Sequence, residues 1–136
     1  MYNYFMSIYE QVVSNITNYV KNDSRIISVY LLGSYAKGTF TSKSDIDIGI
    51  IFHNEHLITS LDISSIATDL TYEIGITVDV GVISSKNLVY ASEVIYTGKL
   101  LYCSNKDLDN LKKANLLGMY HRFNDDRKEI LNAYRT

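Results

Sequence analysis

Gly33-Ser34-Tyr35-Ala36-Lys37-Gly38-Thr39-Phe40-Thr41-Ser42-Lys43-Ser44-Asp45-Ile46-Asp47 joins two apolar runs, Ile26 to Leu32 before it and Ile46 to Phe52 overlapping its end. Runs of this length and β-branched content read as strands. Gly33-Ser34 then closes the first strand, and Asp45 and Asp47 open the second. Residues two apart on a strand share a face. The two carboxylates therefore project together, and Ile46, Ile48 and Ile50 point the other way. Paired carboxylates repel unless a cation or a proton lies between them. The backbone N–H groups of a Gly-Ser turn suit a phosphate. Phosphate donors beside a metal-binding carboxylate pair point to chemistry on a nucleoside triphosphate.

The chain around this stretch has 136 residues, which predicts one domain over 1–136. That length buries enough surface to fold without a staple. A formal net charge of −2 argues against direct binding of nucleic acid by bulk electrostatics. The single cysteine, Cys103, excludes an internal disulfide, fits a reducing compartment and is expected to pack as a small buried hydrophobe. Met1 to Phe5 has no basic segment before an apolar one, so no signal peptide is read there. No apolar run reaches the ~20 residues of a membrane span. The expected location is the cytoplasm, with no membrane partner.

Phe5, Ile8, Tyr9, Val12, Val13, Ile16, Tyr19 and Val20 recur at helical spacing and predict a helix of about five turns. Strand one follows. Ser34 is expected to cap a short helix, Tyr35 to Lys37, stopped by Gly38. After strand two, from Asp45 to Phe52, a second long helix carries Leu57, Ile58, Leu61, Ile66, Ala67 and Leu70 and ends near Gly75. Strand three, Thr77 to Ile83, alternates Val78, Val80 and Val82 with Thr77, Asp79 and Gly81. A helix from Asn87 to Thr97 is expected, capped by Ser84 or Ser85 and stopped by Gly98. Lys99 to Cys103 reads as strand four. A last helical stretch covers Asp107 to Arg135, with a possible break at Gly118. Alternating helices and strands predict an α+β fold, a mixed four- to five-stranded sheet packed with helices. The short link between strands one and two suits an antiparallel pair.

Asp79 interrupts an otherwise apolar strand, where a lone acid is costly unless it faces solvent or holds a cation. If strand three adjoins strand two, Asp79 faces Asp45 and Asp47. Three carboxylates with phosphate oxygens suit Mg²⁺, a hard cation, and two such ions could bridge a triphosphate. Lys37 is the cation nearest the Gly-Ser turn, available for the triphosphate or for solvent. Lys43 reads as a loop charge. His53, His56 and His121 lack zinc spacing with the cysteine and read as surface residues. Nothing resembles a Ser-His-Asp arrangement or a Walker lysine motif.

Gly33-Ser34, ten residues, then Asp45-Ile46-Asp47 resembles the G-S-x10-D-x-D signature of the polymerase-beta-like nucleotidyltransferase superfamily. Val78-Asp79-Val80 is similar to the third acidic strand of that superfamily. With so little chain after Asp79, and with Tyr120, Arg122, Phe123 and Arg127 in the tail, the whole resembles the minimal nucleotidyltransferase antitoxins of MntA type. Lys37 departs from the arginine of many relatives and loses bidentate phosphate geometry.

The resemblance implies an antitoxin that neutralises a HEPN-domain ribonuclease toxin of HepT type. It does so by transferring AMP from ATP to a toxin tyrosine, in a hetero-oligomer with the toxin. It implies Asp45, Asp47 and Asp79 as catalytic metal ligands for two Mg²⁺ ions, and Gly33, Ser34 and, more weakly, Lys37 as nucleotide-binding residues. Two other functions compete: a small-molecule nucleotidyltransferase of aminoglycoside type, and an antitoxin that only masks its partner. Tyr120, Phe123 and Tyr134 are expected to pack on the sheet, with toxin contact as the alternative.

Overall fold

In the computed structural model, which describes residues 7–135, four strands and five helices alternate. Helix α1 (Ile8–Val20), β1 (Ile26–Leu32), the short α2 (Gly33–Lys37), β2 (Ile46–Phe52), α3 (Ser60–Ile74), β3 (Val78–Val82), α4 (Leu88–Thr97), β4 (Lys99–Cys103) and α5 (Lys106–Arg135) follow in that order. The sheet order is β3-β2-β1-β4. β1 runs antiparallel to both β2 and β4, and β2 runs parallel to β3. The sheet is therefore mixed, as read from the sequence, with four strands among the described residues. The parallel pair needs a crossover, which α3 supplies.

The alternation along the strands decides what covers each face. Ile46, Ile48, Ile50 and Phe52 of β2 join Val78 of β3 in a core completed by Val12, Ile16 and Val20 of α1 and Ile66 and Leu70 of α3. The opposite face carries Ile27, Tyr30, Ile51 and Ile83 against Ala91 and Val94 of α4 and Leu116 of α5. Covered on both sides, β1 is buried along all but its last residue.

Local chemistry fixes the helix ends. The Ser7 side chain accepts the Glu10 N–H and starts α1; Phe5, assigned to this helix from its spacing, lies outside the described residues. Thr59 and Asp62 form a reciprocal capping box at α3. That helix starts later than its apolar spacing suggests, because Glu55–Leu57 forms a separate 3₁₀ turn. Gly75 ends it. Ser84 caps a 3₁₀ turn, and Asn87 caps α4 itself.

Four sequence expectations are corrected. Ser34 does not cap α2: the helix already starts at Gly33, its N-cap is Leu32, and no side chain caps it. The chain leaves β1 abruptly through the left-handed Gly33, so Ser34 falls inside the turn. Cys103 is half-buried, because β4 is an edge strand. Helix α5 runs 30 residues without a break at Gly118. It is about 45 Å long, whereas a seven-residue strand spans only about 23 Å, so its last turns pass beyond the sheet. Tyr134 is accordingly 86% exposed and Phe123 39% exposed, with the Arg127 guanidinium over the Phe123 ring. Neither packs on the sheet. His53, His56 and His121 are exposed, as expected.

The first turns of α5 are held by a buried charge. The Asp109 carboxylate accepts the Ser28 hydroxyl at 2.6 Å and the Tyr30 hydroxyl at 2.8 Å from β1, and pairs with Lys113 at 3.1 Å. Burial alone would raise its pKa. The bonds from Ser28, Tyr30 and Lys113 outweigh burial and hold it below its ordinary value. This network sits on the same sheet face as α4.

Candidate functional site

The register of the parallel pair sets Asp47 directly beside Asp79 and Gly49 beside Gly81. All four lie on the α4 face, because their neighbours Ile48 and Val78 lie in the opposite core. The two carboxylates thus meet beside Gly33 at the start of α2. A cavity of about 380 Å³ opens there. Gly33, Lys37, Asp47 and Asp79 line one side, and Tyr90, Glu93, Val94 and Thr97 of α4 line the other. The α4 residues follow helical i, i+3, i+4, i+7 spacing, so one helix face forms that wall.

Gly33 is required twice. Its φ is +64°, and a Cβ there would stand 3.0 Å from Asp47 Oδ2. No L side chain suits that backbone without strain, and none leaves the carboxylate where it is. The turn is braced by the stacked rings of Tyr35 and Phe40, 4.2 Å apart, and by the Gly38 and Thr39 N–H groups, which donate to the Ser34 carbonyl.

The electrostatics mark a pair short of countercharge. Burial first, then the charge and side-chain contact of Asp79, and last the charge of Asp45, raise the Asp47 pKa above its ordinary value. A proton or a cation between the two carboxylates relieves that repulsion. An all-carboxylate oxygen donor set fits a hard divalent cation such as Mg²⁺. Asp45 is exposed, one residue before β2. Among the described residues no three His, Cys, Asp or Glu side chains are gathered closely enough to hold a metal ion as they stand. The adjacent pair is Asp47 and Asp79; the charge of Asp45 acts on Asp47, but Asp45 does not line the cavity.

Of the residues singled out in the sequence, Gly33, Lys37, Asp47 and Asp79 share the cavity. Ser34 is the next residue along α2 and is not among those lining it. The α4 wall was missed. Its tyrosine and glutamate are ordinary amphipathic-helix residues in sequence. The available signal was Gly49 and Gly81, each two places after an acid, in strands otherwise rich in Val and Ile. Tyr90 lies over both: a Cβ on Gly49 would come 3.0 Å from its hydroxyl, and one on Gly81 would come 2.7 Å from its ring carbon Cζ. Burial first, then the charges of Asp47 and Glu93, push the Tyr90 pKa up to about 12, so its hydroxyl keeps its proton.

A family model described as polymerase beta, nucleotidyltransferase matches residues 14–107. That span includes every residue of the cavity. Among solved structures, a toxin–antitoxin crystal structure with AMP-PNP is similar with a TM-score of 0.77 and 23% identity, over 91% of this chain and 98% of that one. The toxin–antitoxin MntA-HepT gives a TM-score of 0.72 at 20% identity, over 93% and 98%. A tri-AMPylated Shewanella oneidensis HEPN toxin in complex with MNT antitoxin gives 0.69 at 22% identity, over 92% and 99%. At these identities the likeness is one of fold. No curated protein matches the chain in sequence.

Proposed function

From the premise that the chain belongs to the polymerase beta nucleotidyltransferase family, we propose that it transfers AMP from ATP to a tyrosine of a HEPN-domain ribonuclease toxin and so acts as its antitoxin. The observation that carries the reading is the in-register Asp47–Asp79 pair beside Gly33, at the floor of an open cavity. The fold extends over nearly the whole of the antitoxin-type structures it matches, one with AMP-PNP and one with an AMPylated toxin. The acceptor hydroxyl comes from a partner protein, a reading supported by the likeness to a complex of an AMPylated HEPN toxin with MNT antitoxin.

Gly33 and Ser34 hold the triphosphate through the turn, and Lys37 adds charge at the cavity edge. Asp47 and Asp79, with Asp45 two residues before Asp47, would hold Mg²⁺, as one or two ions, which supplies charge neutralisation at the phosphates and lowers the pKa of the acceptor hydroxyl. A tyrosine hydroxyl has a pKa near ~10 and is a weak nucleophile at neutral pH. Asp79 is the more exposed member of the carboxylate pair and accepts the proton of the incoming tyrosine. The tyrosine oxygen forms the new bond to the α-phosphorus, and the bond to pyrophosphate breaks. Placing both reactants against a fixed pair of strands converts the encounter into a near-intramolecular step.

Incubation with Mg²⁺, ATP and the cognate ribonuclease, followed by intact mass, tests the reading. One or more added AMP units are expected. Asp45→Asn with Asp47→Asn should abolish both the mass increase and the neutralisation; by analogy with loss of one transition-state donor, each carboxylate is worth at least ~10²-fold. An unmodified toxin in a complex shown to form refutes it, and a double variant that still protects cells identifies masking instead.

A further inference from the structure

Tyr90 occupies a place that the strands have been cleared to make. Gly49 and Gly81 are register partners, and the two would-be Cβ positions both run into the Tyr90 ring or hydroxyl. Side chains at these two positions would fill the space that the ring occupies. The ring is delivered from α4, whose first turn is fixed by the Asn87 side chain accepting the Tyr90 N–H. Tyr90 lines the cavity, and among the described residues the influences on its hydroxyl are burial and the charges of Asp47 and Glu93, none of them a hydrogen bond. A neutral O–H donor is therefore available to whatever fills the cavity.

Distance along the strands says which part of a nucleotide that is. Gly49 and Gly81 follow Asp47 and Asp79 by two residues, or about 7 Å. Gly33 lies on the other side of Asp47. A nucleotide with its phosphates at Gly33 and its α-phosphate at the carboxylates next presents its sugar. We propose that the Tyr90 hydroxyl hydrogen-bonds a ribose hydroxyl of the donor nucleotide, making Tyr90 a specificity residue that selects ribonucleotides over deoxyribonucleotides. This rests on the nucleotidyl-transfer reading above. A protein donor left unpaired beside a missing sugar hydroxyl is the source of the discrimination.

The test is calorimetric binding of ATP, 2′-deoxy-ATP and 3′-deoxy-ATP, each with Mg²⁺, to the wild type and to Tyr90→Phe, which keeps the ring on the glycines. Wild type should bind one of the two deoxy nucleotides about tenfold more weakly than ATP, and which one identifies the hydroxyl. Tyr90→Phe should bind ATP about tenfold more weakly and lose the discrimination. Gly81→Ala, which displaces the ring, should lose it as well. With toxin present, the Tyr90→Phe defect should appear in KM for ATP more than in kcat. Equal affinity of wild type for all three nucleotides overturns the assignment, as does discrimination that survives in Tyr90→Phe. Failure of wild type to bind ATP at all overturns the nucleotidyl-transfer reading, and the assignment falls with it.

Discussion

Replacing Asp47 by asparagine should stabilise the protein while removing its activity. Asp47 and Asp79 are register partners on adjacent parallel strands, and strands lie about 4.8 Å apart. Two unit charges at that spacing repel by about 3.5 kcal/mol at an effective dielectric of about 20. Both side chains reach solvent, so screening leaves about 1 kcal/mol of it. The Asp47→Asn amide removes that repulsion and can donate to Asp79. In a chain of this size the gain corresponds to about 4 °C in Tm. The assay is thermal unfolding without divalent cation at pH 7, repeated with Mg²⁺. Wild type should gain stability from Mg²⁺, and the variant should gain less. The pH dependence has a definite sign. Asp47 has a raised pKa in the folded state, so the native protein binds this proton more readily than the unfolded chain does. Its contribution to stability is therefore complete below the unfolded value of about 3.9 and is lost as pH rises through the folded value. The advantage of Asp47→Asn should vanish as pH is lowered through that window. A variant that melts at or below wild type at pH 7 without Mg²⁺ refutes the reasoning, and so does an advantage unchanged in acid.

Gly33→Ala should lose about tenfold in transfer activity, because a Cβ 3.0 Å from Asp47 Oδ2 displaces the carboxylate by a few tenths of an ångström, a fraction of the misplacement by about 1 Å that costs ~10²-fold. The same substitution should cost about 1–2 kcal/mol in stability from the left-handed backbone, read by denaturant titration. Asp109→Ala should cost about 3 kcal/mol, since it leaves the Ser28 and Tyr30 hydroxyls and the Lys113 ammonium without their common partner; chemical denaturation measures it. The folded-state pKa of Asp109 is depressed, so its contribution is fully present above about pH 3.9 and is lost as pH falls through the folded value. Acid should therefore narrow the gap between Asp109→Ala and wild type.

The strands were legible because β1 is a continuous apolar run and β2 and β3 alternate where they carry the acids. Ile46, Ile48 and Ile50 against Asp47 and Gly49 leave one register for a two-faced sheet, and Val78, Val80 and Val82 repeat the pattern. The Asp47–Asp79 juxtaposition follows once β3 adjoins β2. What the sequence hid depends on length and on neighbours. The apolar residues of α5 keep their helical spacing past the end of the sheet, so spacing alone does not tell Leu116, which is buried, from Tyr134, which is exposed. Asp109 reads as a first-turn helix acid, and only the fold brings Ser28 and Tyr30 to it. The α4 wall was hidden in the same way: Tyr90 and Glu93 acquire a role from the cavity they face.

The departures from local preference gather at one end of the sheet. A left-handed residue follows β1 at Gly33. Two carboxylates stand side by side where burial and mutual charge oppose them. Two glycines break the β-branched content of β2 and β3, at a cost in strand stability, and let a tyrosine ring down onto the backbone. Elsewhere the choices agree with the fold: Thr59 and Asp62 cap α3 reciprocally, and the buried Asp109 is fully engaged. Packing does not account for the acids, because an apolar residue at Asp47 or Asp79 would suit a sheet better, and it accounts for the two glycines only through Tyr90, the ring they admit. On the proposed function, a nucleotide with its cation would account for all of them together: it would neutralise the acids, occupy the space against Gly33, and use the hydroxyl that Gly49 and Gly81 admit.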